Sequence, residues 1–467
     1  MTFKLNSLNI SGFDCLPLVE GGKGIAVSNG ESSGAWSAAG GVGTFSGVNA
    51  DSCDKNGVRI PQVYKGKTRV ERHKELIDFG IKGGIHQAQV AHDLTGGKAP
   101  IHMNVLWEMG GAQEILHGVL EGAKGLIHGI TCGAGMPYKL SEIAAGYGIH
   151  YYPIISSGRA FRALWKRAFN KFADLLGGVV YEDPWKAGGH NGLSNAEDPK
   201  VFQDPLPRVI ELRRMMDDCG VSRDVPIIMA GGVWHLNEWS DWLDNEDVGP
   251  IAFQFGTRPL LTKESPISND WKKRLMTLKE GDVFLNQFSP TGFYSSAVNN
   301  DFIAELRSRS ERQVPYSTKE VGEHTAELLL GPRGRPVYVT PTDKEKVLKW
   351  MEDGYTEALK TPDSTLIFVG SEKQAEIRKD QVDCMGCLSQ CRFSNWAENE
   401  EGTNGKRADP RSFCIQKSLQ NIIHDGFVED ELMFSGHNAY RFATDPFYAN
   451  GNIPTVKELV ERIASGY

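Results

Sequence analysis

Four cysteines crowd one stretch of this sequence, spaced Cys384-x2-Cys387-x3-Cys391-x22-Cys414. Thiolates so grouped suit either a tetrahedral zinc ion or an iron–sulfur cluster. Structural zinc commonly takes two Cys-x2-Cys pairs, each forming a knuckle. Here one pair is followed by a third cysteine and a distant fourth. That three-plus-one arrangement favours a 4Fe–4S cubane, whose corners stand wider apart than the ligands of a single ion; zinc is the alternative, and four metal-free thiols a third. Phe393 and Trp396 beside the cysteines would restrict solvent and so tune a cluster's potential. The other four, Cys15, Cys53, Cys132 and Cys219, are scattered. Cys132 reads as a small buried residue.

A second chemistry lies in the glycines. Ala39-Gly40-Gly41-Val42-Gly43, Ala187-Gly188-Gly189-His190-Asn191-Gly192, Ala230-Gly231-Gly232 and Phe255-Gly256-Thr257 each follow a run with strand character. Any one pair alone is more often a tight turn. Four of them at strand ends point to one phosphate-bearing cofactor approached from several sides, because glycine lets backbone amides come close and permits positive φ. No Gly-x-Gly-x-x-Gly follows the first strand, which argues against a dinucleotide-binding Rossmann fold. His190 sits within the second cluster. A neutral imidazole there could take a proton from a carbon acid or hydrogen-bond a developing oxyanion. His102, His117, His128, His150 and His235 have no metal-like pairing and read as structural.

The elements that must position these groups alternate strand and helix. Strand candidates are Lys23–Asn29, Gly43–Ala50, Ile101–Glu108, Gly125–Gly133, His150–Ser157, Gly178–Asp183, Val225–Gly231 and Ala252–Arg258. Stretches with a period near 3.6 lie between most of them, such as Gly111–Leu120, Ser141–Tyr147, Gly158–Leu175 and Pro207–Cys219. Such alternation implies a parallel sheet with crossover helices, and eight strands suggest closure into a barrel. The character changes after residue 267. Polar helices are expected at Asp270–Glu280, Asp301–Arg312, Lys344–Leu359 and Thr455–Ser465, with short strands at Val337–Thr340 and Thr365–Gly370. The expected division is a barrel over residues 1–266, a helical and α/β extension over 267–380, and a cysteine module with terminal helices over 381–467.

With 40% hydrophobic and 24% charged residues and a net charge of −8, the 467-residue chain has the composition of a globular protein without a basic surface for nucleic acid. No run of apolar residues is long enough to span a membrane, and the first residues lack the apolar core of a secretory signal, so the expected location is cytoplasmic.

Ser37-Ala38-Ala39-Gly40-Gly41-Val42-Gly43, Asn104 in Met103-Asn104-Val105, Thr131-Cys132-Gly133-Ala134-Gly135-Met136-Pro137, Ala187 to Gly192, Ile228 to Val233, and Gln254 to Arg258 occur in that order. Over residues 15–266 this resembles the nitronate monooxygenase (2-nitropropane dioxygenase) family, whose relatives include FMN-type enoyl-acyl-carrier-protein reductases. The resemblance implies an α/β protein, an FMN-binding (β/α)8 TIM barrel, here with a C-terminal α+β extension carrying the four-cysteine cluster. It implies that Gly231, Gly232, Gly256 and Thr257 hold the FMN phosphate, that Gly40, Gly41 and Asn104 lie near the ring or ribityl chain, that Glu182, Gly188, Gly189 and Ala230 complete the cofactor site, and that His190 is catalytic. The family's Glu-Gly before this glycine cluster reads Glu182-Asp183 here. The cysteine loop is similar to that of 2,4-dienoyl-CoA reductases, with a longer spacer to the fourth cysteine. Three activities are therefore expected as candidates: oxidation of alkyl nitronates with O2, reduction of an enoyl- or dienoyl-thioester C=C bond fed by NAD(P)H or a ferredoxin through the cluster, and a non-catalytic electron-transfer subunit. The expected partners are a small-molecule substrate and such an electron donor, with a homo-oligomer admitted.

Overall fold

The computed structural model describes residues 3–331, 333–424 and 426–467. Eight parallel strands form one sheet: β1 Leu18–Glu20, β2 Gly43–Ser46, β3 Ile101–Leu106, β4 Gly129–Gly133, β5 His150–Ile155, β6 Val179–Glu182, β7 Ile227–Ala230 and β8 Ile251–Phe255. Each pairs with its chain neighbour, and β8 pairs with β1. The sheet closes on itself where the Glu20 amide donates to Val42 O and the Val42 amide to Leu18 O, both at 2.9 Å. Inward-facing Val19, Val42, Tyr152, Val180, Ile228 and Ala252 fill the centre, and Ile10 of an N-terminal hairpin plugs its lower end. This is a packed (β/α)8 barrel whose working face lies at the C-terminal ends of the strands.

Seven of the expected strands fall within a few residues of those observed. The first does not. Lys23–Asn29 is irregular, and β1 is the three-residue Leu18–Glu20 before it. Glu20-Gly21-Gly22 is thus the end of a strand rather than the approach to one, and the apolar residues after it line a cavity instead of pairing.

The helices pack around the barrel. The first, α1 (Gly30–Ala38), lies so close to α2 (Arg69–Thr95) that a Cβ on Gly30 would meet Gln87 O at 2.4 Å. α2 begins with a capping box in which Thr68 and Glu71 exchange side-chain and backbone bonds, and it ends at Gly96 in the left-handed region. After β8 comes only a 3-10 turn, Arg258–Leu261. The last helix, Val456–Ala464, packs into the barrel core through Val456, Leu459, Val460 and Ile463, one face at helical spacing. The expected boundary assigned that helix to the cysteine module; the fold returns it to the barrel, because its apolar stripe matches the barrel's uncovered flank.

Nor is the extension set apart from the barrel. Gly189–His190, in the loop after β6, pairs with Ser295–Val298, which pairs in turn with Val283–Asn286. Beyond it, Gln313–Pro315, Thr365–Val369 and Glu357–Lys360 form an antiparallel sheet carrying helices Pro341–Glu352 and Ser371–Val382. The single helix expected over Lys344–Leu359 therefore ends at Glu352 and gives way to a strand. Among the described residues no helix is long and apolar enough to cross a membrane.

Candidate active site

A cavity of about 260 Å³ opens at the C-terminal ends of the strands, with the extension forming its roof. Its floor takes Asn104 from β3, Glu182 from β6, Ala230 from β7 and Gln254 from β8. The alternation of a strand explains this: Val180 faces the barrel interior, so Glu182, two residues on, faces the same way at the rim. Asn104 donates from Nδ2 to Thr131 Oγ1 at 3.3 Å. A Cβ on Gly22 would fall 2.1 Å from that of Asn104, so only glycine lets the β1 turn pass over β3 here.

One side of the cavity is built like an anion cradle. Gly231 and Gly232 have φ of +89° and +77°, which keeps the turn after β7 bare of side chains where it faces the cavity. Gly256 and Thr257 follow β8 beside it. Thr257 Oγ1 accepts the Gly436 amide at 3.1 Å, leaving the hydroxyl proton free to donate toward an anion. Asn438 Nδ2 donates to Gly232 O at 2.6 Å. Two residues of the extension thus brace the turn expected to hold phosphate. These features fit the FMN-type cofactor implied by the glycine pattern.

Burial shifts several ionisable groups around the cavity toward their neutral forms. Burial, with Asp183 alongside, pushes the Glu182 carboxyl up to about 8. Burial lowers Lys23, whose ammonium donates to Glu20 Oε1 at 3.2 Å and to Gly21 O at 2.8 Å. His190 lines the cavity, and burial lowers its imidazole to about 4, so the ring is neutral at ordinary pH. His190 Nε2 lies 2.6 Å from Ser289 Oγ, which in turn is 2.9 Å from Thr291 Oγ1. The ring also meets Phe434 edge-on, at 5.6 Å between centroids. Hydroxyl chain and phenyl ring all belong to the extension.

The four cysteines come together next to this cavity. Cys384 and Cys391 are buried, and Cys387 and Cys414 are partly buried. Cys384 and Cys391 belong to one apolar cluster, and Cys387 and Cys414 pack against it. Cys384 Sγ accepts from Ser394 Oγ at 3.2 Å and from the Gly386 amide at 3.5 Å. Among the described residues, no three His, Cys, Asp or Glu side chains are placed to share one metal ion. Trp396 is fully buried and Phe393 nearly so.

Of the expected cofactor residues, Asn104, Glu182, Gly188, Gly189, Ala230, Gly231, Gly232, Gly256 and Thr257 all line the one cavity, together with His190. Gly40 and Gly41 do not. They precede β2 at the opposite end of the barrel, where a Cβ on Gly41 would strike Leu18 O at 2.6 Å. Their positions at the cavity are taken by Gly21, Gly22 and Gly24. The local signal for this is Glu20-Gly21-Gly22-Lys23-Gly24, which directly follows the short strand Leu18–Glu20. Thr291, Phe434, Gly436 and Asn438 carried no local signal. Cys132 is fully buried in the core, and His102 bonds Ser11 Oγ at 2.9 Å within the barrel, in keeping with structural roles.

The enoyl reductase domain of MlnA from the macrolactin biosynthesis cluster of Bacillus amyloliquefaciens has the same fold, with a TM-score of 0.56 and 12% identity over 97% of this chain and 93% of that one. FabK from Thermotoga maritima gives a TM-score of 0.49 at 15% identity over 96% and 91% of the two chains. Nitroalkane oxidase from Streptomyces ansochromogenes gives 0.43 at 17% over 62% and 79%. No curated protein matches the sequence significantly. The family model for nitronate monooxygenase matches residues 13–383. A barrel with a glycine-cradled cavity and a half-buried, neutral histidine accords with that match: the chain belongs to the nitronate monooxygenase family and is an FMN-dependent oxidoreductase acting on a small molecule.

Proposed function

We propose that the chain oxidises alkyl nitronates on FMN. The observation that carries this reading is His190, neutral in the cavity wall with its orientation set by Ser289. Gly231, Gly232, Gly256 and Thr257 would hold the cofactor phosphate, and Asn104, Glu182, Gly188, Gly189 and Ala230 would surround the remainder. Bound FMN would supply the electron acceptor. His190 would hydrogen-bond the nitronate oxygens or, were the parent nitroalkane to bind, take its α-proton, roles open to a neutral imidazole. Anaerobic addition of an alkyl nitronate should then bleach the flavin, and admission of O2 should restore its colour. A flavin that stays oxidised under nitronate would overturn the reading.

A second reading is favoured by the cysteines. Cys387 is itself a lining residue of the cavity. Four cysteines gathered in and against one apolar cluster, spaced three-plus-one in sequence, are the feature behind a 4Fe–4S reading. In that reading Cys384, Cys387, Cys391 and Cys414 ligate the cluster, and the cavity reduces the C=C bond of an enoyl or dienoyl thioester with electrons from NAD(P)H or a ferredoxin-type donor. Bleaching by NAD(P)H followed by reoxidation with an enoyl thioester distinguishes it from nitronate oxidation.

A further inference from the structure

The family match ends at Asp383, yet Leu388, Ile415, Gln416, Leu419 and Phe434, all beyond it, line the cavity. Met109, just after β3, makes an isolated antiparallel bridge with Leu388. Leu388, Ile415 and Leu419 belong to one apolar cluster, the last two one turn apart in the helix Ile415–His424. In the order of the barrel sheet β3 stands four strands from β7. This apolar wall therefore lies across the mouth from the turn proposed to hold the phosphate.

One polar group interrupts the wall. Gln416 is 1% exposed, and its Nε2 finds no acceptor among the described residues. Buried amide donors are nearly always paired. Around the same cavity Lys23, Asn104, His190 and Asn438 each have a protein partner. Gln416 sits in the first turn of its helix, where the Ser418 amide donates to Cys414 O at 3.1 Å and the helix dipole favours negative charge. The terminal torsion of a glutamine is soft, so the amide can turn its N–H toward a ligand oxygen while the helix stays in place. Glu108, on the same flank, has its carboxyl raised by burial, which weakens its repulsion of an anion.

We propose that Gln416 is a substrate-binding residue whose side-chain amide donates a hydrogen bond to one oxygen of the nitronate. The proposal rests on the reading that the chain oxidises nitronates, and it places part of substrate recognition in residues outside the family match. A nitronate spreads its negative charge over two oxygens. His190 can serve one of them, and Gln416 serves the other. The alkyl chain then falls against Leu388, Ile415 and Leu419. Gln416 makes and breaks no bond in the substrate; it binds and orients.

The test compares the FMN-bound wild type with Gln416→Met, which keeps the length of the side chain and removes the donor. Anaerobic stopped-flow mixing with propyl nitronate gives the nitronate Kd and the limiting rate of flavin bleaching. Melting of the apoprotein and its titration with FMN are measured for both proteins. Gln416→Met should bind the nitronate roughly tenfold more weakly, as expected for one lost hydrogen bond to a charged group. The limiting rate should change less, and the FMN affinity should match wild type. The melting temperature should equal or exceed that of wild type, because an apolar group replaces an unpaired buried donor. An unchanged nitronate Kd overturns the role of Gln416 and leaves nitronate oxidation standing. So does a variant that melts lower or does not fold, which marks the side chain as structural, or one that loses FMN, which assigns the amide to the cofactor. A wild-type flavin that the nitronate does not bleach overturns the nitronate reading, and this role with it.

Discussion

His190 and Ser289, 99 residues apart in sequence, meet at 2.6 Å between Nε2 and Oγ. The histidine comes from the family barrel and the serine from the extension, so the site is complete only when the second part of the chain folds onto the first. Removing the imidazole should have the larger effect. His190→Ala should lower kcat/KM by roughly 10²- to 10⁴-fold, the range for a positioned acid–base group, with FMN still bound. Ser289→Ala removes one hydrogen bond and should cost about 1 kcal/mol, or roughly fivefold in the same parameter. Steady-state kinetics beside the flavin content of each purified variant checks both; loss of FMN from His190→Ala would mean that the ring holds cofactor rather than substrate.

Two half-buried histidines make the fold sensitive to acid. Burial lowers both His190 and His437 to about 4, against an ordinary value of 6.5. Between those values the unfolded chain binds protons that the folded one does not. Stability is therefore fully present above about pH 6.5 and falls as the pH drops toward 4, where the contribution levels off. Thermal melts of the apoprotein across this window should show the decline, and replacing both histidines by glutamine should flatten it.

Glu182 acts in the opposite sense. Its carboxyl is raised from 4.5 to about 8, so the folded state holds a proton that the unfolded state releases above about pH 4.5. This favours folding at low pH and is lost as pH climbs through 8. Glu182→Gln, neutral throughout, should raise the melting temperature of the apoprotein at pH 8 relative to wild type and change it little at pH 5. Equal effects at both values would place the raised carboxyl elsewhere.

The turn after β7, proposed to hold the phosphate, has its own signature. Gly232 has φ of +77°, and a Cβ there would also lie 2.7 Å from the Lys186 side chain. Gly232→Ala should cost about 1–2 kcal/mol in backbone strain and weaken FMN binding roughly tenfold, with the barrel still folded by circular dichroism. Fluorescence titration of the apoprotein with FMN measures it, and unchanged affinity would move the phosphate away from this turn.

Docking of the cysteine loop can be disturbed by one carbon. Gly110→Ala drives a Cβ into Gly386 O and should cost about 1–3 kcal/mol, as overpacking does. Amide hydrogen exchange should rise across residues 384–397 while strands β5 to β7 stay protected.

The barrel was legible in the sequence because each strand carries its own β-branched run and each strand-end glycine its own local constraint. Gly231, Gly232, Gly256 and Thr257 could be named from their neighbours alone, and so could the four cysteines, since ligand spacing is a local property. The error over Gly40 and Gly41 has a local cause too: β1 is only three residues long, and the apolar stretch after it imitates a strand. What the sequence could not reveal is how the extension meets the barrel. Ser289, Phe434, Gly436 and Asn438 are ordinary residues in ordinary surroundings, and they reach the site only because Ser295–Val298 pairs with Gly189–His190 across the mouth. The same holds for Cys387. Its spacing makes it a candidate ligand, but only tertiary packing of Gly110 against Gly386 decides that it faces the cavity, because a contact between segments over 270 residues apart leaves no periodicity in either.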